Sequence, residues 1–139
     1  MQKVIIDTNV LISALIQRSY PYQIISELFI DQKIVLCIFE HVMQEYYDVL
    51  NRKKFSKYPD FIARAESMLA IIESKATVFS PKIKLNLITD LDDNKFLELA
   101  DECKANFLIT GNTAHFTMHT YQETRIVSPK EFWENHRLE

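Results

Sequence analysis

Apolar positions along the 139-residue chain follow two patterns. Some are short unbroken runs; others recur every three or four residues. The runs are Val4-Ile5-Ile6, Ile34 to Ile38, Thr77 to Phe79, Phe107 to Thr110 and Ile126-Val127. Unbroken and rich in β-branched residues, they predict strands covered on both faces. The periodic stretches between them predict helices. One is capped by Thr8 or Asn9 and runs to about Ile16. A second starts at Pro21, a residue suited to a first helical turn, and ends near Ile30. A third covers Glu40 to Asn51, with Val42, Tyr46, Val49 and Leu50 on one face. A fourth opens at Pro59, with Ile62, Ala65, Met68, Leu69 and Ile72 in one stripe. A fifth spans Asp93 to Lys104, and a terminal helix from Pro129 carries Phe132 and Trp133. Residues 81–92 read as a loop.

Strands that alternate with helices predict a parallel sheet covered on both sides. The expected architecture is a three-layer α/β/α sandwich with a central, mainly parallel sheet of four or five strands. Repeats, low-complexity segments and linkers are absent, so residues 1–139 read as one domain.

Composition narrows the chemistry. The chain contains one glycine, Gly111. Glycine-rich phosphate loops therefore cannot be written, which removes P-loop nucleotide enzymes and Rossmann dehydrogenases. No apolar run is long enough to span a membrane, and the first strand starts too near Met1 to leave room for a leader. Cys37 and Cys103 lie in apolar segments without motif spacing and read as buried free thiols, pointing to the cytoplasm. The net charge of -3 is not by itself a nucleic-acid signature, although a local basic patch still binds phosphate.

The candidate chemistry starts at Asp7. It ends an apolar strand, and in open α/β sheets reactive groups gather at the carboxyl ends of strands. A charge there is costly unless solvated, paired or metal-bound. Asp93 lies three, four and seven residues before Phe96, Leu97 and Ala100, so it continues that buried stripe at the helix start, with Asp92 able to cap the helix instead. Lys95, Glu98 and Glu102 fall on the opposite, solvated face. Glu45 stands at the border of an apolar stripe, between Val42 and Val49. Asn112 follows the strand Phe107-Leu108-Ile109 in Thr110-Gly111-Asn112, and its side-chain oxygen is able to ligate a hard cation. The same residues also have ordinary readings: helix cap for Asp93, surface ion pair for Glu45, turn for Gly111-Asn112. If they converge, the oxygen-rich set suits Mg²⁺ or Mn²⁺ and phosphodiester hydrolysis.

The segments VIIDTNVLISAL, EHVMQEYYDVLNRKKF, LDDNKFLELADECKANFLITGN and IVSPKEFW, in this order and spacing, resemble the PIN domain, a ribonuclease fold common among bacterial toxins. The resemblance covers essentially the whole chain. It implies a catalytic set of Asp7, Glu45, Asp93 and Asn112. Asp7 and Asp93 would ligate Mg²⁺ or Mn²⁺, while Glu45 would orient a water or a second ion. Thr8 and Asn9 would hold Asp7, and Thr110 would support the fourth position. Asn112 departs from the usual aspartate and removes one charge; the string TGN-x-x-HF resembles a subgroup variant. Asp90 and Asp92 are possible supplements. The implied activity is a metal-dependent endoribonuclease leaving 5′-phosphate and 3′-hydroxyl ends. The implied role is the toxin of a type II toxin–antitoxin pair, with an antitoxin protein as partner.

Arg52, Lys53, Lys54 and Lys57, interleaved with Phe55 and Tyr58, form a candidate RNA grip, with the solvated helix end as the plain alternative. His115 is a candidate phosphate contact; paired with His119 it lacks the glutamate or cysteines of a zinc site. Tyr46-Tyr47 and Phe132-Trp133 read as core. Leu28, Phe29 and Ile30 are contiguous and cannot all face one core, which suggests a homodimer surface. Two other readings stand beside the nuclease: a degenerate PIN domain that binds RNA or protein without cutting, and a phosphoacceptor aspartate protein. The second fits poorly, because a dehalogenase-like chain expects aspartate where Asn9 stands, and a receiver expects its acceptor mid-chain.

Overall fold

The computed structural model describes residues 1–85, 93–116 and 118–139. The first strand, β1 (Lys3–Ile6), leads into α1 (Thr8–Ile16). The next helix begins as α2 (Tyr20–Gln23) and continues as a π-helical segment, Ile24–Phe29. There follow β2 (Val35–Ile38), α3 (Glu40–Leu50), a 3₁₀ turn (Lys53–Phe55), α4 (Phe61–Lys75) and β3 (Thr77–Val78). The remainder is α5 (Asn94–Cys103), β4 (Phe107–Ile109), a 3₁₀ turn (Thr113–His115), β5 (Thr120–Tyr121), β6 (Thr124–Val127) and α6 (Pro129–Glu131), which passes into a π-helical end, Phe132–His136.

Among the described residues the sheet has six strands in the order β3-β2-β1-β4-β6-β5. All neighbours are parallel except β5 and β6. The α/β/α expectation holds, with one more strand than the alternation predicted. The extra strand, β5, forms a tight hairpin with β6, pairing Tyr121 with Thr124. Its turn puts Gln122 at a left-handed φ of 52°. Hairpins of this kind normally announce themselves with Gly or Asn. A glutamine in that place gives no such signal.

Chain direction explains the layering. From β1 the chain moves outward through β2 to β3, then returns across the sheet to β4. Right-handed crossovers place the helices of the first half on one face and α5 on the other. The packing agrees: α1, α3 and α4 contact one another, and α5 lies against β1 and β2. The order therefore reverses between β1 and β4, whose register aligns Ile5 with Leu108 and Ile6 with Ile109. Val4, Ile5 and Ile6 are completely buried.

Several local expectations change. Asp7, not Thr8 or Asn9, occupies the N-cap of α1. Asp60 caps α4 in a left-handed conformation, so the helix starts at Phe61 rather than Pro59. Ile62 is 40% exposed and leaves the inward stripe, because the buried face is centred on Phe61, Ala65, Leu69 and Ile72 at helical spacing. β3 stops at Val78, before Phe79. In the π-helical segment the wider turn lets adjacent residues share a face: Ile24 with Ile25, and Leu28 with Phe29, are all buried. The contiguous apolar run thus finds its cover largely within the chain. Cys37 and Cys103 are both free and buried, as expected. The folded chain also brings them together, and the neighbouring Cys103 sulfur, with burial, pushes the Cys37 thiol up.

Candidate metal centre and nucleic-acid cleft

Asp7 and Thr110 end adjacent parallel strands on either side of the point where strand order reverses. This is the crevice in which open α/β sheets place their ligands. The ladder continues through Asp7, whose N–H donates to the Ile109 carbonyl at 2.9 Å. Its own carbonyl accepts from Val10 N–H, which starts α1. The chain thus turns from strand to helix on this residue, and the carboxylate is left 5% exposed.

That burial pushes the Asp7 carboxyl up, and the nearby Glu45 charge adds to the effect. Three groups act the other way: the Thr110 hydroxyl and the backbone N–H groups of Asn9 and Thr8. Thr110 donates to Asp7 Oδ2 at 2.7 Å and is itself fully buried. Its oxygen also accepts from Asn112 N–H at 3.1 Å. Thr110 therefore supports both Asp7 and the turn that follows β4.

Glu45 comes from α3. Its two oxygens are separately held: Oε2 accepts from the Thr8 hydroxyl, and Oε1 accepts from Lys95 Nζ at 2.7 Å. The next residue, Tyr46, is fully buried and donates its hydroxyl to the Ile6 carbonyl at 2.5 Å. This bond fastens α3 to the end of β1, one residue before Asp7. Asp93, expected inside the helix with Asp92 as its cap, is instead the N-cap residue of α5, half-buried at the positive end of the helix.

Asp7, Glu45 and Asp93 all line one cleft of about 420 Å³, with Thr8, Asn9 and Ser13. Arg52 and Lys54 line the same cleft. A second hollow of about 320 Å³, lined by His41, Gln44 and Asp48, shares Glu45, Val49 and Arg52 with it. Another hollow, about 600 Å³, lies by Tyr20 and Trp133, and these carboxylates do not line it.

The other sequence candidates are placed as follows. Asn112 is half-buried and does not line the cleft. Lys53 and Lys57 are exposed and also lie off its walls. Phe55, between the basic residues, is buried and stacks on Phe61, and it also borders the cleft beside Arg52 and Lys54. His119 is exposed. Asp90, Asp92 and the His115 side chain lie outside the described part. Tyr46 and Phe132 are core, as expected.

The outer face expected for α5 is corrected. Glu98 is 7% exposed and accepts from Leu85 N–H at 2.9 Å. Lys95, on the same flank, has a side chain 18% exposed and reaches Glu45. The helix is covered on two sides because α3 packs near its start. The available signal was Leu99, an apolar residue on the supposedly solvated side.

Among the described residues, no group of three or more His, Cys, Asp or Glu side chains is gathered closely enough to hold a metal ion. Asp7, Glu45 and Asp93 on one polar cleft still fit Mg²⁺, which typically takes one or two carboxylates and completes its sphere with water and phosphate oxygens.

Comparison with known proteins bears on this arrangement. A protein of Methanocaldococcus jannaschii, the uncharacterized MJ1680, is 31% identical over 140 residues, covering 95% of this chain and 90% of the relative. A chain of VapBC2 from Rickettsia felis, solved with a DNA fragment from their promoter, shares the fold with a TM-score of 0.59 at 16% identity. That similarity covers 91% of this chain and 98% of the other. A model of the PIN domain matches residues 3–114, which run from β1 through the turn after β4 and include each of these carboxylates. The chain belongs to the PIN domain family.

Proposed function

We propose that this chain, as one domain over residues 1–139, is a Mg²⁺- or Mn²⁺-dependent endoribonuclease. PIN domains are generally nucleases and typically depend on divalent metals. The observation that carries the reading is the shared cleft: Asp7, Glu45 and Asp93 with Arg52 and Lys54 along the same walls. Asp7 and Asp93 would hold the ion. When bound, it supplies an activated water and offsets charge on the phosphate.

The protein's own groups do the rest. Arg52 and Lys54 bind backbone phosphates and set the register of the strand. Glu45, fixed by Thr8 and Lys95, accepts the proton of the attacking water. The water oxygen bonds to phosphorus as the bond to the 3′ oxygen breaks; that oxygen takes a proton from solvent, which leaves a 5′-phosphate on one product and a 3′-hydroxyl on the other. RNA cleavage with and without Mn²⁺, for wild type and Asp7→Asn, tests this directly. A metal-dependent activity lost in Asp7→Asn supports the reading, and an unchanged rate sinks it.

The biological role that fits is the toxin of a type II toxin–antitoxin pair in the cytoplasm, as the VapBC2 likeness suggests. Ala14, Leu15, Tyr22, Ile25, Met68 and Ile71 line an apolar groove of about 220 Å³ for an antitoxin helix, and a homodimer completes the assembly. Co-purification with a small protein encoded beside the gene tests the pairing, and light scattering tests the dimer. A second reading, a PIN domain that binds RNA without cutting, draws on Asn112, which carries no charge. Absence of Mn²⁺ binding alongside retained RNA binding would favour it.

A further inference from the structure

The Lys95–Glu45 pair has three features that an ordinary surface ion pair lacks. Both side chains are about four-fifths buried, at 18% and 19% exposed. The Glu45 carboxylate is held at both oxygens, by Lys95 and by the Thr8 hydroxyl. The lysine stands in the first turn of α5, where the helix dipole disfavours a cation. Its placement there, two residues along the chain from Asp93, is compensated by Glu45, with which it lines the hollow beside His41.

We infer that Lys95 is a positioning residue that, with Thr8, keeps Glu45 out of direct metal coordination, so that the site takes one divalent ion on Asp7 and Asp93. The inference rests on the nuclease reading above. The Lys95 ammonium lies 2.7 Å from Glu45 Oε1. A divalent ion ligated by that same oxygen, at a typical Mg–O distance of about 2.1 Å, would sit no more than about 5 Å from the ammonium. At that range, well inside the screening length, two cations repel. Oε2 is bound from the other side by Thr8, so the carboxylate cannot swing away without breaking both contacts. Glu45 is thus fixed in place by its two contacts, and the lysine charge stands where a second ion would otherwise be needed. Asn112 brings no charge, so with Glu45 held back Asp7 and Asp93 are the two carboxylates left for coordination, the number with which Mg²⁺ is commonly bound.

Manganese binding to the purified full chain, counted by calorimetry and by electron paramagnetic resonance of free Mn²⁺, tests this without RNA. Wild type is expected to bind one Mn²⁺, and Asp7→Asn none. Glu45→Gln and Lys95→Arg should keep one ion with affinity within about threefold of wild type, less than 1 kcal/mol by the usual conversion. Lys95→Gln frees Glu45 and should either admit a second ion or tighten the first by about tenfold or more. Thermal melting confirms that each variant is folded, and Lys95→Arg separates the charge from the packing. Two ions in wild type, loss of binding in Glu45→Gln, or Lys95→Gln binding as wild type would each overturn the inference and leave the nuclease reading in place. Wild type binding no Mn²⁺ would overturn both.

Discussion

The Thr110 hydroxyl donates to Asp7 Oδ2 at 2.7 Å, joining residues 103 positions apart at the ends of neighbouring parallel strands. The bond is buried, so the donor is not easily replaced by water. Thr110→Val keeps the shape and removes the hydroxyl. Asp7 then loses its nearest donor, and the Asn112 N–H loses its acceptor. We expect a loss of ~1–3 kcal/mol in urea unfolding at pH 7, with weaker Mn²⁺ binding, both restored by Thr110→Ser. Unfolding and metal affinity equal to wild type would show that the bond contributes nothing.

Asp7 also sets a pH dependence. Burial raises its carboxyl above the ordinary 3.8, so ionisation is harder in the folded chain than in the unfolded one. The stability associated with the neutral group is fully present below that ordinary value and is lost as pH rises through the folded value. Asp7→Asn cannot ionise and escapes the loss. In chelator, its melting temperature should exceed that of wild type at pH 7, and the gap should close toward pH 4. Adding Mn²⁺ should raise wild type alone, by binding the folded state. A variant less stable than wild type at pH 7 would contradict the account.

Tyr46→Phe tests the fastening between α3 and β1. The phenol is buried, and burial, followed by the Asp7 and Glu45 charges, pushes its ionisation well above the usual range. It therefore remains a donor at all ordinary pH. Its removal should cost ~1–2 kcal/mol, the same at pH 6 and pH 9. Denaturant unfolding at both values checks this, and a cost that varies with pH would point elsewhere.

Glu98 offers a separate check on the buried flank of α5. Its Oε2 accepts from Leu85 N–H at 2.9 Å. Glu98→Gln retains an oxygen acceptor, whereas Glu98→Ala leaves that N–H unsatisfied. Unfolding should show a loss of ~1–3 kcal/mol for alanine and less than half of that for glutamine. Equal effects would mean that the charge, not the hydrogen bond, holds the segment.

Local patterns carried most of the architecture. Val4-Ile5-Ile6 and Phe107-Leu108-Ile109 are strands because unbroken apolar runs require cover on both faces, and the polar residue after each marks a strand end. Asp7 was legible for the same reason: a charge closing an apolar run has few places to go. The β5–β6 hairpin was not legible, because Gln122 adopts a left-handed conformation without being a residue type that advertises it.

The site divides along the same line. Chain order alone determined that Asp7 ends a strand, that Asp93 opens a helix and that Glu45 borders an apolar face. Only the tertiary structure decided their company. It set Asp7 beside Thr110 through the β1–β4 pairing, turned Lys95 inward to Glu45, and tied the Asn112 N–H to the Thr110 hydroxyl. The reason is the range of the forces. Periodicity reports which face of one element is buried, but not which neighbour covers it. Hydrogen bonds and ion pairs reach only a few ångströms, so partners 50 or 103 residues apart are fixed by the packing of whole elements.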